Sequence, residues 1–253
     1  DRTVQLSSDD IFIHKLKLIN GYSLSGAGMI INGNNNTIDN IIISNNHSTA
    51  WAGGISINGN HHIKNTIITE NHGRGSGINY SGENLIIENS TIANNTGCTY
   101  GNYWGIPVYE CAGIIASQNS VVTIINSIIY NNEGEQLHYL DFTEVCEETG
   151  NYCDYSFPDY HVTYSDITNG WEGLGNISSD PQFDTGYSLQ LTSPCIDSGD
   201  PDSPLDPDGT RADMGGKPFN IWGVDEFLDD CGVPSGGFSN HIPNSDKDCY
   251  GVC

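Results

Sequence analysis

Ile38-Asp39-Asn40-Ile41-Ile42-Ile43-Ser44-Asn45 is the stretch whose reading decides the fold, because the chain repeats it. Related segments stand at Ile13-His14-Lys15-Leu16-Lys17-Leu18-Ile19-Asn20, at Ile63-Lys64-Asn65-Thr66-Ile67-Ile68-Thr69 and at Ile87-Glu88-Asn89-Ser90-Thr91-Ile92-Ala93-Asn94. Two more follow, at Ile124-Ile125-Asn126-Ser127-Ile128-Ile129-Tyr130-Asn131 and Thr163-Tyr164-Ser165-Asp166-Ile167-Thr168. Aligned on positions 15, 40, 65, 89, 126 and 165, the copies step by 25, 25, 24, 37 and 39 residues. A period of that size marks a repeat architecture, and the element inside the repeat says which kind.

The element is a strand. Ile, Val and Thr fill it, and β-branched side chains suit a pleated sheet better than a helix. No long segment keeps a 3.6-residue period, which excludes helical solenoids. A second strand follows glycine in each copy: Gly28-Met29-Ile30-Ile31-Asn32, Gly54-Ile55-Ser56-Ile57-Asn58, Gly77-Ile78-Asn79-Tyr80 and Gly113-Ile114-Ile115-Ala116-Ser117. Short strands punctuated by Asn and Gly predict an all-β, right-handed parallel β-helix cored by isoleucine ladders. Asparagine tolerates the left-handed backbone of a sharp corner. Asn45/Asn46, Asn71, Asn94/Asn95 and Asn131/Asn132 are expected to stack as an asparagine ladder.

Eight Lys and Arg stand against 32 Asp and Glu, for a net charge of −24. Nucleic acid and anionic membranes are excluded as partners, since phosphate binding needs a basic face. No apolar run is long enough to span a bilayer. The eight cysteines predict disulfides and an oxidising, extracellular setting. Locality pairs Cys98 with Cys111 and Cys146 with Cys153, and leaves Cys195, Cys231, Cys249 and Cys253 with three connectivities open. Six Asn-x-Ser/Thr sequons, at Asn35, Asn46, Asn79, Asn89, Asn94 and Asn176, offer glycan acceptors in a glycosylating host.

Function is sought where the chain departs from its repeat. Asn95 to Gly113 is one insertion and Glu133 to about Tyr160 a second, both read as following the same asparagine corner and therefore as lying side by side. Trp51, Tyr100, Tyr103, Trp104 and Tyr109 are the candidate ligand-binding aromatics, interleaved with acids. Such a face suits a sugar polymer, the rings meeting pyranose faces and the acids accepting hydroxyl hydrogen bonds. The alternatives are a satellite core under the loops or a protein contact. For an enzyme, a polyuronate lyase would draw on Lys64, Arg74, His72 and His61 or His62, and a glycosidase on Glu70, Glu88 or Glu110. His72-Gly73-Arg74 resembles in part the Gly-His-Gly segment of polygalacturonases, but that family's Asn-Thr-Asp, Asp-Asp and Arg-Ile-Lys segments are absent. Asp200, Asp202, Asp206, Asp208 and Asp213 crowd one Pro- and Gly-containing stretch and form the candidate calcium site. The alternative there is a turn whose carboxylates cap backbone amides, with Arg211 paired to one of them.

Ser193-Pro194-Cys195-Ile196-Asp197-Ser198-Gly199-Asp200-Pro201 and Asp206-Pro207-Asp208-Gly209-Thr210-Arg211-Ala212-Asp213-Met214-Gly215 resemble the closing element of secreted bacterial parallel β-helix repeat proteins, preceded by a segment like Ser179-Asp180-Pro181-Gln182-Phe183. The resemblance covers about residues 10–216 and implies the fold rather than an activity. The tail, Asp230-Cys231-Gly232-Val233 and Asp248-Cys249-Tyr250-Gly251-Val252-Cys253, is similar to Asp-Cys-x-Gly-Val-Cys linker repeats, which implies a sorting or anchoring domain beyond it. The expected organisation is a β-helix over 1–196, an Asp/Pro-rich closing element over 197–228 and a tail or linker over 229–253. The expected function is that of a secreted or cell-surface structural and adhesive protein, non-catalytic, binding glycans or other copies of itself. A polysaccharide lyase or hydrolase at the aromatic corner is the alternative. An enzyme predicts a deep groove with convergent acid and base, an adhesin a flat aromatic strip, and a head-to-tail filament complementary bare ends.

Overall fold

The structure is a computed structural model that describes residues 4–75, 77–97, 99–103, 106–110, 112–139, 157–219, 227–228, 231 and 234–235. The first turn carries β1 (Val4–Ser7), β2 (Phe12–His14), β3 (Lys17–Ile19) and β4 (Tyr22–Ser25). The second repeats them as β5 (Met29–Asn32), β6 (Asn36–Asp39), β7 (Ile42–Ser44) and β8 (His47–Trp51), and the third as β9 (Ile55–Asn58), β10 (His61–Lys64), β11 (Ile67–Thr69) and β12 (His72–Arg74). β13 (Ile78–Ser81), β14 (Asn84–Glu88) and β15 (Thr91–Ala93) form the fourth turn, followed by a hairpin of β16 (Thr99–Tyr103) and β17 (Ile106–Glu110). The fifth is β18 (Ala112–Ala116), β19 (Val121–Ile125) and β20 (Ile128–Tyr130), the sixth β21 (Glu135–Tyr139), β22 (Asp159–Thr163) and β23 (Asp166–Ile167). Equivalent strands pair in parallel into three six-stranded sheets, begun by β1, β2 and β3, and a three-stranded sheet begun by β4. The chain is a parallel β-helix.

In-register stacking puts like on like. Met29, Ile55, Ile78, Ile114 and Leu137 form one inward ladder, and Ile38, Ile63, Ile87, Ile124 and Val162 another, none more than 5% exposed. Each buried aliphatic side chain stabilises the coil by roughly 1.5–3 kcal/mol. Two columns of left-handed residues make the corners. One is Lys15, Asn40, Asn65, Asn89, Asn126 and Tyr164, and the other Asn20, Asn45, Glu70, Asn94, Asn131 and Asn169. The last copy therefore turns at Tyr164 rather than Ser165, and the final step is 38 residues, the separation of Ser127 and Ser165.

The asparagine ladder is present, with one member of each doublet. Asn46, Asn71, Asn95 and Asn132 are buried, each Nδ2 donating to the next carboxamide oxygen, while Asn45, Asn94 and Asn131 take the bend outside. Gln136 ends the ladder, its Oε1 accepting from Asn132 N and Nδ2. A second ladder, of hydroxyls, runs at the other corner. Thr66, Ser90, Ser127 and Ser165 each accept the amide N–H of the preceding turn and donate to a local carbonyl. Asn176 closes it, its Oδ1 accepting from Ser165 N. Three of the six sequon asparagines have their Nδ2 atoms engaged within the protein, Asn46 and Asn176 in the ladders and Asn94 in a bond to the Tyr187 hydroxyl.

The insertions differ from expectation in one respect. The first is the antiparallel hairpin, in the place a fourth-sheet strand would occupy after Gly97. The second does not follow the asparagine corner. Glu135–Tyr139 is a regular strand stacked on β18, with Leu137 against Ile114, so the second insertion leaves the scaffold between β21 and β22. The two loops spring from different corners. Cys98, Cys111, Cys146 and Cys153 lie outside the described residues, as does Trp104.

Beyond Ile167 the chain folds back. Ile177 bridges Asp166, and Ile128, Leu189, Cys195 and Met214 form a second core with Tyr130, Phe183, Ile196 and Phe219 against the outer face of the β3 sheet. Residues on both sides of position 196 share this core. Gly215 N donates to Asn126 O and Gly216 N to Thr91 Oγ1, tying the flap to the corner beneath. Cys195 is no disulfide partner but a buried free thiol, its Sγ 3.3 Å from Asp166 Oδ2. Among the described residues no helix is long and apolar enough to cross a membrane.

Candidate functional site: two faces of the solenoid

The fourth sheet carries a flat outward strip. Register places Tyr22, His47 and His72 one above another, and their rings stack. Tyr22 and His47 are 5.2 Å apart at 3°, and His47 and His72 4.6 Å apart at 18°. These separations match the ~4.8 Å between paired strands, so the stack is set by the ladder itself. All three side chains are exposed, and His72 Nδ1 meets Thr96 Oγ1 at 3.2 Å, extending the strip into the fourth turn. Rings stacked along the axis cover one another's faces. What they offer solvent is a row of edges: a phenol and two imidazoles able to donate and accept hydrogen bonds.

Trp51 sits half-buried at the far end of β8, in register with Ser25 and Arg74. In the hairpin beyond Thr96, Tyr100 pairs with Tyr109, Tyr103 with Ile106 and Thr99 with Glu110. The candidate catalytic residues are divided among three sheets. His72 and Arg74 stand on β12, Glu110 on β17 of the hairpin, and Lys64 on β10 of the β2 sheet.

The outer face of the β2 sheet gathers residues that sequence reading had treated separately. His62 Nε2 lies 3.0 Å from Glu88 Oε2, and His14 Nδ1 3.2 Å from Asp39 Oδ2. Asn65 Nδ2 donates to the other oxygen of Asp39 at 2.8 Å. Lys64 is in register between Asp39 and Glu88, whose carboxylates are turned to the two histidines. Beside them is a shallow hollow of about 220 Å³, bordered by Asn35, Thr37, Asn60, His62, Asn84 and Ile86. A second, of about 330 Å³, continues over the corner past Asn60 to Gly33, Gly59 and Gly82. The signal for this site was in the sequence. Asn35, Asn60 and Asn84 recur at the repeat spacing, three residues before the inward Ile38, Ile63 and Ile87.

The acidic loop uses its carboxylates on its own backbone. Asp213 Oδ1 accepts from Asp197 N at 2.8 Å, and Oδ2 from Phe219 N. Asp206 Oδ2 accepts from Asp213 N, Asp200 Oδ1 from Asp202 N and Asp208 Oδ1 from Thr210 N. Arg211 Nε donates to Gly199 O, and its guanidinium lies 5.8 Å from the ring centroid of Tyr164. Burial, reinforced by neighbouring Asp208 and Asp197, pushes Asp206 up to about 6. Burial likewise pushes Asp213 up to about 7, with Asp206 and Asp197 adding to it. Among the described residues no three His, Cys, Asp or Glu side chains converge as a metal site.

No protein-family description matches the chain, and no curated protein sequence matches it. Among solved structures, a pectate lyase, Pel9A, is similar to it at 15% identity and a TM-score of 0.34, over 84% of this chain and 73% of that one. At that distance the likeness carries no inference about substrate or chemistry.

Proposed function

We propose that the protein is an extracellular, non-catalytic, glycan-binding β-helix of right-handed coil, serving as a structural or adhesive element. The observation that carries this reading is the Tyr22–His47–His72 strip, flat, exposed and repeating at 4.6–5.2 Å along the axis. A row of ring edges at that spacing suits a polymer that lies along the solenoid and offers hydroxyls at regular intervals. Pockets that enclose a small ligand usually measure ~300–1,000 Å³ and bury most of its surface. The hollows here, of about 220 and 330 Å³, lie below and at the bottom of that range and are shallow and open, which favours an extended partner. An elimination or hydrolysis site needs its base and acid facing one bond, whereas His62 and Glu88 are turned to each other on the β2 sheet and His72 and Arg74 stand on β12 of another sheet. A glycan partner is preferred to end-to-end assembly because the coil's last turn is covered. Tyr160 packs edge-on against Trp171 at 5.7 Å, and Leu137, Val162 and Ile167 are at most 5% exposed.

The test is a polysaccharide array followed by titration calorimetry on the best binder. The expected result is binding without product formation, weakened about tenfold or more in a Tyr22→Ala/His47→Ala double variant. Release of unsaturated or reducing ends would overturn the non-catalytic reading.

A further inference from the structure

We propose that the hollow on the β2 sheet is a separate subsite for one neutral pyranose unit; this rests on the glycan-binding reading and names the sugar class. Its border is chemically mixed in the way a sugar ring requires. Ile86, 41% exposed, supplies an aliphatic floor for the C–H face of a ring. Asn35 and Asn84 stand on the rim with carboxamides that meet no described protein group, and Asn60 spends its Oδ1 on Glu83 N and Asn84 N, leaving its Nδ2 to a ligand. Carboxamides both donate and accept, which matches hydroxyls that do the same. His62, held by Glu88 at 3.0 Å, gives the hollow one oriented wall.

Charge decides between neutral and acidic sugars. Around the hollow, Asp39, Glu83 and Glu88 stand against Lys64, whose register position lies between two of those carboxylates. The chain as a whole carries −24. A uronate would approach an acidic face with no surplus cation to neutralise it. A neutral ring meets no such penalty.

The experiment is calorimetry and saturation-transfer NMR on the full chain with cellohexaose, maltohexaose and, as charged counterpart, hexagalacturonate. Ile86→Glu and Asn84→Ala change outward side chains, and Ile86→Glu also places charge on the floor. The expected result is that a neutral hexaose binds, weakens about tenfold or more in both variants, and keeps measurable contact with the hollow in His47→Ala. Binding that ignores Ile86→Glu and Asn84→Ala but collapses in His47→Ala overturns the subsite and leaves the strip reading intact. Preference for hexagalacturonate overturns the neutral class. Absence of binding to every oligosaccharide overturns both readings.

Discussion

Asn71 makes four side-chain hydrogen bonds in a place that water does not reach. Its Oδ1 accepts from Asn46 N and Nδ2, and its Nδ2 donates to Ile43 O and Asn95 Oδ1. Each buried group left without a partner costs about 1–3 kcal/mol. Asn71→Ala is therefore expected to lose about 3 kcal/mol or more, a fall in Tm of roughly 6–12 °C for a chain of this size. Asn45 is the contrasting neighbour, exposed and bent at a φ of 56°. Asn45→Ala is expected to lose only about 1 kcal/mol, the cost of a left-handed alanine. Thermal melts of the two variants check the difference. Tyr80 is the opposite case, 1% exposed with a hydroxyl that has no partner. Burial and the charge of Glu83 both hold that hydroxyl in its neutral form. Tyr80→Phe removes the orphan at nearly constant volume, and an unchanged or higher Tm is the expected outcome. Which asparagine of each doublet turns inward was not legible in the sequence. Both fit the composition of a corner, and only the left-handed φ at the first member selects the second for the ladder.

At the scale of elements, the repeat segments were legible because inward isoleucines recur with the turn. β21 was not. Glu135-Gln136-Leu137-His138-Tyr139 has a single aliphatic inward residue and lacks the Gly-Ile opening of its equivalents. It joins the sheet on the strength of Leu137 over Ile114 and of Gln136 ending the asparagine ladder. Misreading that strand placed both insertions at one corner. The flap over the β3 sheet has its own pH dependence. Asp206 and Asp213 rise to about 6 and about 7 when folded, so the folded state holds protons that the unfolded state releases above the ordinary carboxylate range. Their contribution is complete below about pH 4 and is lost as pH rises through 6 to 7. Tm is expected to rise between pH 8 and pH 5. Because relief of the general negative charge acts in the same direction, the discriminating measurement is a smaller rise in Asp213→Asn.

On the scale of the whole molecule, the two ends of the coil are unlike. The last turn is finished by Trp171, Gln136 and Asn176, whereas Val4, Leu6, Ile13 and Leu18 of the first are only partly buried. Head-to-tail growth needs two complementary open ends. Electron microscopy is therefore expected to show dispersed particles rather than filaments, and ordered fibres would refute the covered end. The sites were less legible than the fold for a simple reason. Core positions announce themselves through hydrophobic periodicity, but outward positions are held together only by register. His62 and Glu88 are 26 residues apart and meet because their strands are adjacent. The flap adds a different kind of information. Cys195 lies sealed beneath it, 0% exposed, its thiol pushed up by burial and by Asp166. An alkylating reagent reaches that sulfur only in the moments when the flap lifts. Peptide-level mass spectrometry of Cys195 labelling over time would thus act as a clock for this one motion, while the ladders behind it stay closed.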